Sequence, residues 1–305
     1  MAYAANSRTA LLSLVFVVMW NSGFVGGRLG TDTASTVTLM VWRFGIVALL
    51  LGAVLGLVRL LKHHRPLEPR EVAVQAVVGV LGQGVFIWGN VGGIEVGVGA
   101  GTAALIAALQ PITASVLAGP VLGKRVNSGQ WAGLLVGLLG VGLVVGSDLT
   151  SERAAPWWAY GLPLLGMAAL VLATLVERST SASTTPLLPA LAIQTATSAL
   201  LFLVAAVVVG GLAPPRDHAV AFGVAVAWFI GFSTLGAYGA YWLTLRRTDL
   251  THLNSLIYLT PPTTVLWTWV MFADPVTVSA MAGCVVCALG VALVHRHRHR
   301  SGVAG

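Results

Sequence analysis

The sequence predicts an all-α integral membrane protein of ten transmembrane helices, arranged as two inverted five-helix repeats. Three observations carry that prediction. First, 57 % of the 305 residues are hydrophobic and only 9 % are charged, against roughly a quarter charged in an ordinary globular chain. A fold in water with so few charges leaves large apolar patches on its surface. Second, the mean hydropathy is +0.88, and the apolar residues come in runs of about 20, the length that crosses a bilayer as a helix. Third, the chain matches itself at a gapless offset of 150 residues.

The expected spans are residues 9–28, 35–60, 71–93, 98–120, 127–147, 156–176, 185–210, 219–244, 251–272 and 276–295. Together they use roughly 200 residues, and the remainder supplies connections and tails. No room is left for a catalytic or nucleotide-binding domain in water. The chain carries no Gly-rich phosphate loop with its lysine, no His-Glu-x-x-His pair and no Cys/His cluster. No cofactor and no metal are expected, and an enzyme is not.

The first span runs on through Met19-Trp20-Asn21-Ser22-Gly23 without a small-x-small cleavage pattern, so it reads as a retained helix rather than a secretion signal. The second carries Arg43. An arginine at depth costs roughly 2.5–3.5 kcal/mol on insertion scales, so it must face protein or water. It is a counter-charge for a solute carboxylate, a structural partner of Glu95 or of first-span carbonyls, or, being near the outer end, a side chain that snorkels to the interface. In the third span Gln83 and Asn90 lie seven residues apart on one helical face, with Trp88 near them.

The fourth span contains Gln110-Pro111, where the missing N–H interrupts the helix. Thr102, Ile106, Gln110 and Thr113 form a semi-polar stripe there, either cavity lining or glue between helices. In the second half Tyr238, Tyr241 and Tyr258 stand beside polar residues, and Thr260-Pro261 repeats the earlier break. Trp157, Trp158, Trp267 and Trp269 read as interface aromatics. Cys284 and Cys287 read as buried apolar filler. The tail His295-Arg296-His297-Arg298-His299-Arg300 reads as a basic cytoplasmic anchor. The candidate substrate-binding residues are therefore Trp20, Asn21, Arg43, Gln83, Trp88, Asn90, Gln110, Tyr238, Tyr241 and Tyr258.

The net charge of +7 comes from loops rather than from a nucleic-acid face. With the N-terminus inside, 13 of the 17 Lys and Arg fall on the cytoplasmic side, and only Arg28, Arg153 and Arg216 fall outside. Positive-inside bias sets topology, so both termini are expected in the cytoplasm of a multi-pass inner (plasma) membrane protein.

At the 150-residue offset Pro111 meets Pro261, Thr113 meets Thr263, Gly89 meets Gly239, Trp88 meets Tyr238, Gly133 meets Gly283 and Gly140 meets Gly290. The shift carries each span onto the fifth one after it. Five is odd, so the second copy crosses in the opposite sense. Residues 1–150 and 151–305 thus read as two five-span units of inverted topology. This recurring construction builds alternating-access transporters with a midplane substrate site.

With those residues located, the chain resembles the drug/metabolite transporter superfamily, in particular its ten-span EamA-type members. The resemblance rests on Met19-Trp20-Asn21-Ser22-Gly23-Phe24, Trp42-Arg43-Phe44, Ala100-Gly101-Thr102-Ala103-Ala104-Leu105-Ile106, Leu109-Gln110-Pro111, Gly133-Leu134-Leu135-Val136-Gly137 and Leu259-Thr260-Pro261-Pro262. It implies secondary transport, commonly export of amino acids or related small amphipathic metabolites. Where such members usually have Gly-Glu after the fourth and ninth spans, this chain has Gly123-Lys124 and Ala273-Asp274. The first-span glutamate that couples related four-span multidrug transporters to protons has no counterpart here. The expected partners are a small-molecule solute and the lipid bilayer, with no nucleic acid, and the protein is expected as a monomer or loose homodimer. Competing readings are uptake or exchange of a nucleotide- or sugar-linked solute, and lipid translocation.

Overall fold

The computed structural model describes residues 2–61, 66–122, 128–149, 154–180, 185–245, 256–257, 259–274, 276–286 and 288–289. The regular secondary structure of those residues is helical, with no strand among them. Helix α1 spans Ala2–Thr31 and α2 spans Thr36–Leu61. Helix α3 is continuous over Pro69–Gly79, Val80–Val85 and Phe86–Glu95, the middle piece being wound as a π-helix. Helix α4 comprises Ala100–Ala107 and Gln110–Leu122, and α5 covers Ser128–Leu149. Helix α6 opens with the 3₁₀ turn Trp157–Tyr160 and continues over Gly161–Ser179. Helix α7 covers Leu187–Val209. Helix α8 runs over Ala219–Trp228, the π segment Phe229–Gly236 and Ala237–Leu245. Helix α9 is Thr260–Phe272, and α10 occupies 278–286.

Six of these helices are long and apolar enough to cross a membrane: Ala10–Thr31, Thr36–Leu61, Pro69–Glu95, Trp157–Glu177, Leu187–Val209 and Ala219–Tyr241. The chain is a multi-pass membrane protein. Its outer surface agrees, since Leu49 is 77 % exposed, Val208 79 % and Val220 84 %. Such side chains are stable facing acyl chains and not water.

The fourth span is interrupted before Pro111 as the sequence implies: the chain turns at Ala108 and Leu109, where the Leu109 amide donates to the Ile106 carbonyl three residues back. Pro111 has no N–H to offer the carbonyl of Ala107, so the α-ladder stops one turn before it. The first helix extends beyond 9–28 at both ends. Residues 251–255, Tyr258, Cys287, 291–295, Lys124 and the His/Arg tail lie outside the described residues.

Packing is close where glycines allow it. Helix α3 lies between α6 and α7, α2 runs along α7, and α1 packs on α3, α8 and α9. A Cβ added at Gly89 would stand 2.4 Å from the Leu162 carbonyl oxygen, and one at Gly79 would stand 2.5 Å from the Cα of Gln194. Small residues at these crossings let backbones approach, as helices in membranes require. Phe44 and Phe202 stack with centroids 5.5 Å apart between α2 and α7. Helix α7 ends at Gly210 with φ +77, and α9 ends at Ala273 with φ +54.

Candidate functional site

Helices α1, α2, α3, α6 and α8 line a cavity of about 160 Å³. Trp20, Gly23 and Phe24 from α1 and Arg43 from α2 border it, as do Gly82, Gln83, Phe86, Ile87, Asn90 and Val91 from α3. Leu170 of α6 and Ser233 and Ala237 of α8 close the rest. The wall is mostly apolar, with Arg43 as its cation. Among the described residues that line the cavity there is no Asp or Glu.

Arg43 is only 4 % exposed. Its Nη2 donates to Ser233 Oγ at 3.2 Å and to Thr234 Oγ1 at 3.3 Å. The guanidinium carbon lies 4.7 Å from the Phe229 ring centroid and 5.1 Å from that of Phe44. Hydroxyl oxygens and ring faces orient the positive charge, and a carboxylate offered from the cavity meets a fixed donor fork. The Glu95 carboxylate accepts from the Thr36 amide at 2.9 Å.

Both π segments border this cavity. A π turn takes an extra residue into the helix, and such turns are concentrated at functional sites. In α3 the wide turn holds Gly82 and Gln83, and in α8 it holds Ser233 and Thr234. The Thr234 hydroxyl donates to the Phe229 carbonyl five residues back at 3.0 Å, across the widened turn.

Gln83 is held from behind. Its Nε2 donates to Gln194 Oε1 at 3.2 Å, and its Oε1 accepts from Thr195 Oγ1 at 3.3 Å. Gln194 Nε2 donates in turn to Gln75 Oε1 at 2.6 Å, and Gln75 is fully buried. This file of amides between α3 and α7 fixes the carboxamide at the cavity edge.

Of the residues singled out from sequence, Trp20, Arg43, Gln83 and Asn90 meet at the cavity. The others stand elsewhere. Asn21 is fully buried in α1, and neither atom of its amide has a hydrogen-bond partner. Trp88 packs against the cluster around Leu39, Met40 and Phe44. Tyr241 stacks on Trp20 with centroids 6.4 Å apart, backing the cavity wall. Gln110 Nε2 lies 3.4 Å from Thr174 Oγ1 on α6, and Thr102 donates to Asp148 on α5 at 2.7 Å. These two residues of the stripe therefore tie helices together. Tyr258 and the Tyr238 side chain lie outside the described part. Trp157 and Trp269 are exposed as expected, while Trp267 packs edge-on to Trp228 at 5.7 Å.

Ser233, Thr234, Gln75 and Gln194 were not picked out from sequence. Their one signal is polarity within an apolar run, and small hydroxyls and amides of that kind also serve as ordinary contacts between helices.

Residues 7–146 match the EamA-like transporter family. It is a family of transporters rather than enzymes. The whole chain is similar to a protein of Streptantibioticus cattleyicolor named "Probable terminal-alkyne amino-acid exporter", with 25 % identity over 308 residues covering 95 % of this chain and 94 % of that protein. A solved crystal structure shares the fold, with a TM-score of 0.65 at 19 % identity, covering 94 % of this chain and 98 % of the other. The Trp42-Arg43-Phe44 and Ala100–Ile106 motifs both fall within the part matched by the EamA-like family.

Proposed function

We propose that the protein is a ten-helix alternating-access transporter that exports amino acids or related small amphipathic metabolites through the cavity at Arg43. The observation that carries this reading is the cavity itself: a buried guanidinium in a mostly apolar chamber, with Trp20 and Phe24 as walls. A solute with a carboxylate head and a compact apolar body complements both parts. An engineered apolar cavity of roughly 150 Å³ holds benzene, so about 160 Å³ suits a side chain of similar size. The name of the Streptantibioticus relative points to the same solute class.

The two-unit, inverted architecture gains support from features that recur at the sequence offset. Adding 150 to Val80–Val85 gives 230–235, inside the second π segment Phe229–Gly236. The same shift takes Gln110, where the second piece of α4 starts, to Thr260, where α9 starts. With that arrangement, 13 of 17 Lys and Arg lie on the face that holds both termini, which favours the cytoplasmic assignment.

Counterflow in proteoliposomes tests the proposal, using a panel of radiolabelled amino acids that includes L-propargylglycine, an amino acid with a terminal alkyne. Saturable exchange is expected. Arg43→Gln should lower it at least tenfold, as expected for a lost charge-assisted contact of about 1.5–3 kcal/mol. Exchange by the variant at the rate of the unaltered protein refutes the role given to Arg43.

A further inference from the structure

We propose that Asn90 is the subsite for the amine of the solute, its Oδ1 accepting a hydrogen bond from the N–H of a molecule whose carboxylate lies at Arg43. This rests on the amino-acid reading above and extends it to a residue that distinguishes amino acids from plain carboxylates.

Asn90 lines the cavity and is 4 % exposed. Its Nδ2 donates to the Phe86 carbonyl one turn back at 2.8 Å. A carbonyl oxygen only accepts, so this bond settles which end of the amide is nitrogen. The nitrogen is also backed by α6, because a Cβ built on Gly166 would stand 3.0 Å from Nδ2. The remaining polar atom, Oδ1, is buried and has no hydrogen-bond partner in the protein. A buried acceptor left unpaired is unfavourable, and Asn90 lines the cavity through which a donor can enter.

The charge pattern narrows the donor. Among the described residues that line the cavity there is no carboxylate, so an ammonium has no anion among them to pair with. A neutral, oriented carbonyl is the acceptor on offer, while the positive charge of Arg43 holds the carboxylate. Arg43 and Asn90 line the same chamber, and the proposed solute bridges them. A monocarboxylate lacking the amine leaves Oδ1 unpaired. A site built to bond an N–H rejects such an analogue far more strongly than it rejects a missing methylene.

The test uses the full-length protein in proteoliposomes, with counterflow of labelled L-propargylglycine. The competitors are unlabelled L-propargylglycine and 4-pentynoate, which keeps the carboxylate and alkyne but lacks the amine. The unaltered protein should prefer the amine-bearing competitor about tenfold or more. Asn90→Leu should bring the two competitors within about twofold of each other, through weaker binding of the amino acid. Asn90→Asp, close in size, should raise the preference for the amine-bearing compound, because a full negative charge replaces a carbonyl dipole. Asn90→Asp decides the matter if the leucine variant does not fold. Retention of the full preference in Asn90→Leu, or an unchanged or smaller preference in Asn90→Asp, overturns the subsite and leaves water as the partner of Oδ1. An unaltered protein that carries no L-propargylglycine overturns the amino-acid reading for this probe, a result distinct from loss of the Asn90 effect alone.

Discussion

Replacing Gly89 by alanine tests whether α3 and α6 meet backbone to backbone. The added methyl carbon would lie 2.4 Å from the Leu162 carbonyl oxygen, 2.9 Å from the Gly166 amide nitrogen and 3.0 Å from its Cα. Ordinary contact begins at 3.4 Å, so the helices must part by about 1 Å along that line. No side chain can rotate away, since every obstructing atom is backbone. A radial gap of 0.5–1 Å forfeits roughly a quarter to a half of each dispersion contact, and overpacked sites lose about 1–3 kcal/mol. The better helix propensity of alanine returns up to about 1 kcal/mol, leaving a net loss of about 1–2 kcal/mol. At roughly 2 °C per kcal/mol for a chain of this size, the apparent Tm in detergent should fall by about 2–4 °C. Size-exclusion chromatography after stepped heating measures it. Gly92→Ala is the control, because its added methyl would find only Trp88 Nε1, at 4.0 Å, and should leave Tm equal or slightly raised. Because Phe86 and Asn90 border the cavity on either side of Gly89, counterflow should also drop in Gly89→Ala. A Gly89→Ala protein that melts at or above the temperature of the unaltered one refutes the close crossing.

Gln194→Leu removes the bonds to both Gln75 and Gln83 and should cost about 0.5–1.5 kcal/mol per hydrogen bond lost, seen in the same thermal assay. Ala273→Gly should stabilise by about 1 kcal/mol, since a left-handed φ of +54 penalises a Cβ. Burial raises the carboxyl of Asp148 above its ordinary value, and the Thr102 hydroxyl pulls it partly back. A carboxyl raised on folding contributes stability that is fully present below its unfolded value and is lost as pH rises through the folded value. Thr102→Val removes the opposing pull, so its loss of Tm should be larger near pH 7 than near pH 4. An equal loss at both pH values contradicts that assignment.

Much of the architecture was readable from composition. Apolar runs bounded by charged loops located the helices, and Pro111 and Pro261 marked interruptions because a missing N–H acts locally. Arg43, Gln83 and Asn90 stood out because polar groups at depth are costly and must be housed. The π turns were not readable. No residue type encodes them, and they depend on how α3 and α8 pack against their neighbours. A 3.6-residue template applied through Val80–Val85 or Phe229–Gly236 loses register by one residue. Ser233 and Thr234 therefore carry no distinct signal in the sequence, although they orient the Arg43 guanidinium. Trp88 looked like a wall of the chamber, and it is a packing side chain against α2. Gln75 and Gln194 are separated by 119 positions, and only the tertiary arrangement joins them.

The segment Val80–Val85 has a consequence for how this helix tolerates shortening. A wide turn is one residue richer than the α geometry on either side of it. Deleting a single position there should anneal the stretch into regular helix, with the flanking pieces keeping their present faces. The same deletion between Phe86 and Asn90 would have no slack to absorb it. Everything toward Glu95 would swing by about 100° around the helix axis, and the amide that now borders the chamber would be aimed at lipid or at a neighbouring helix.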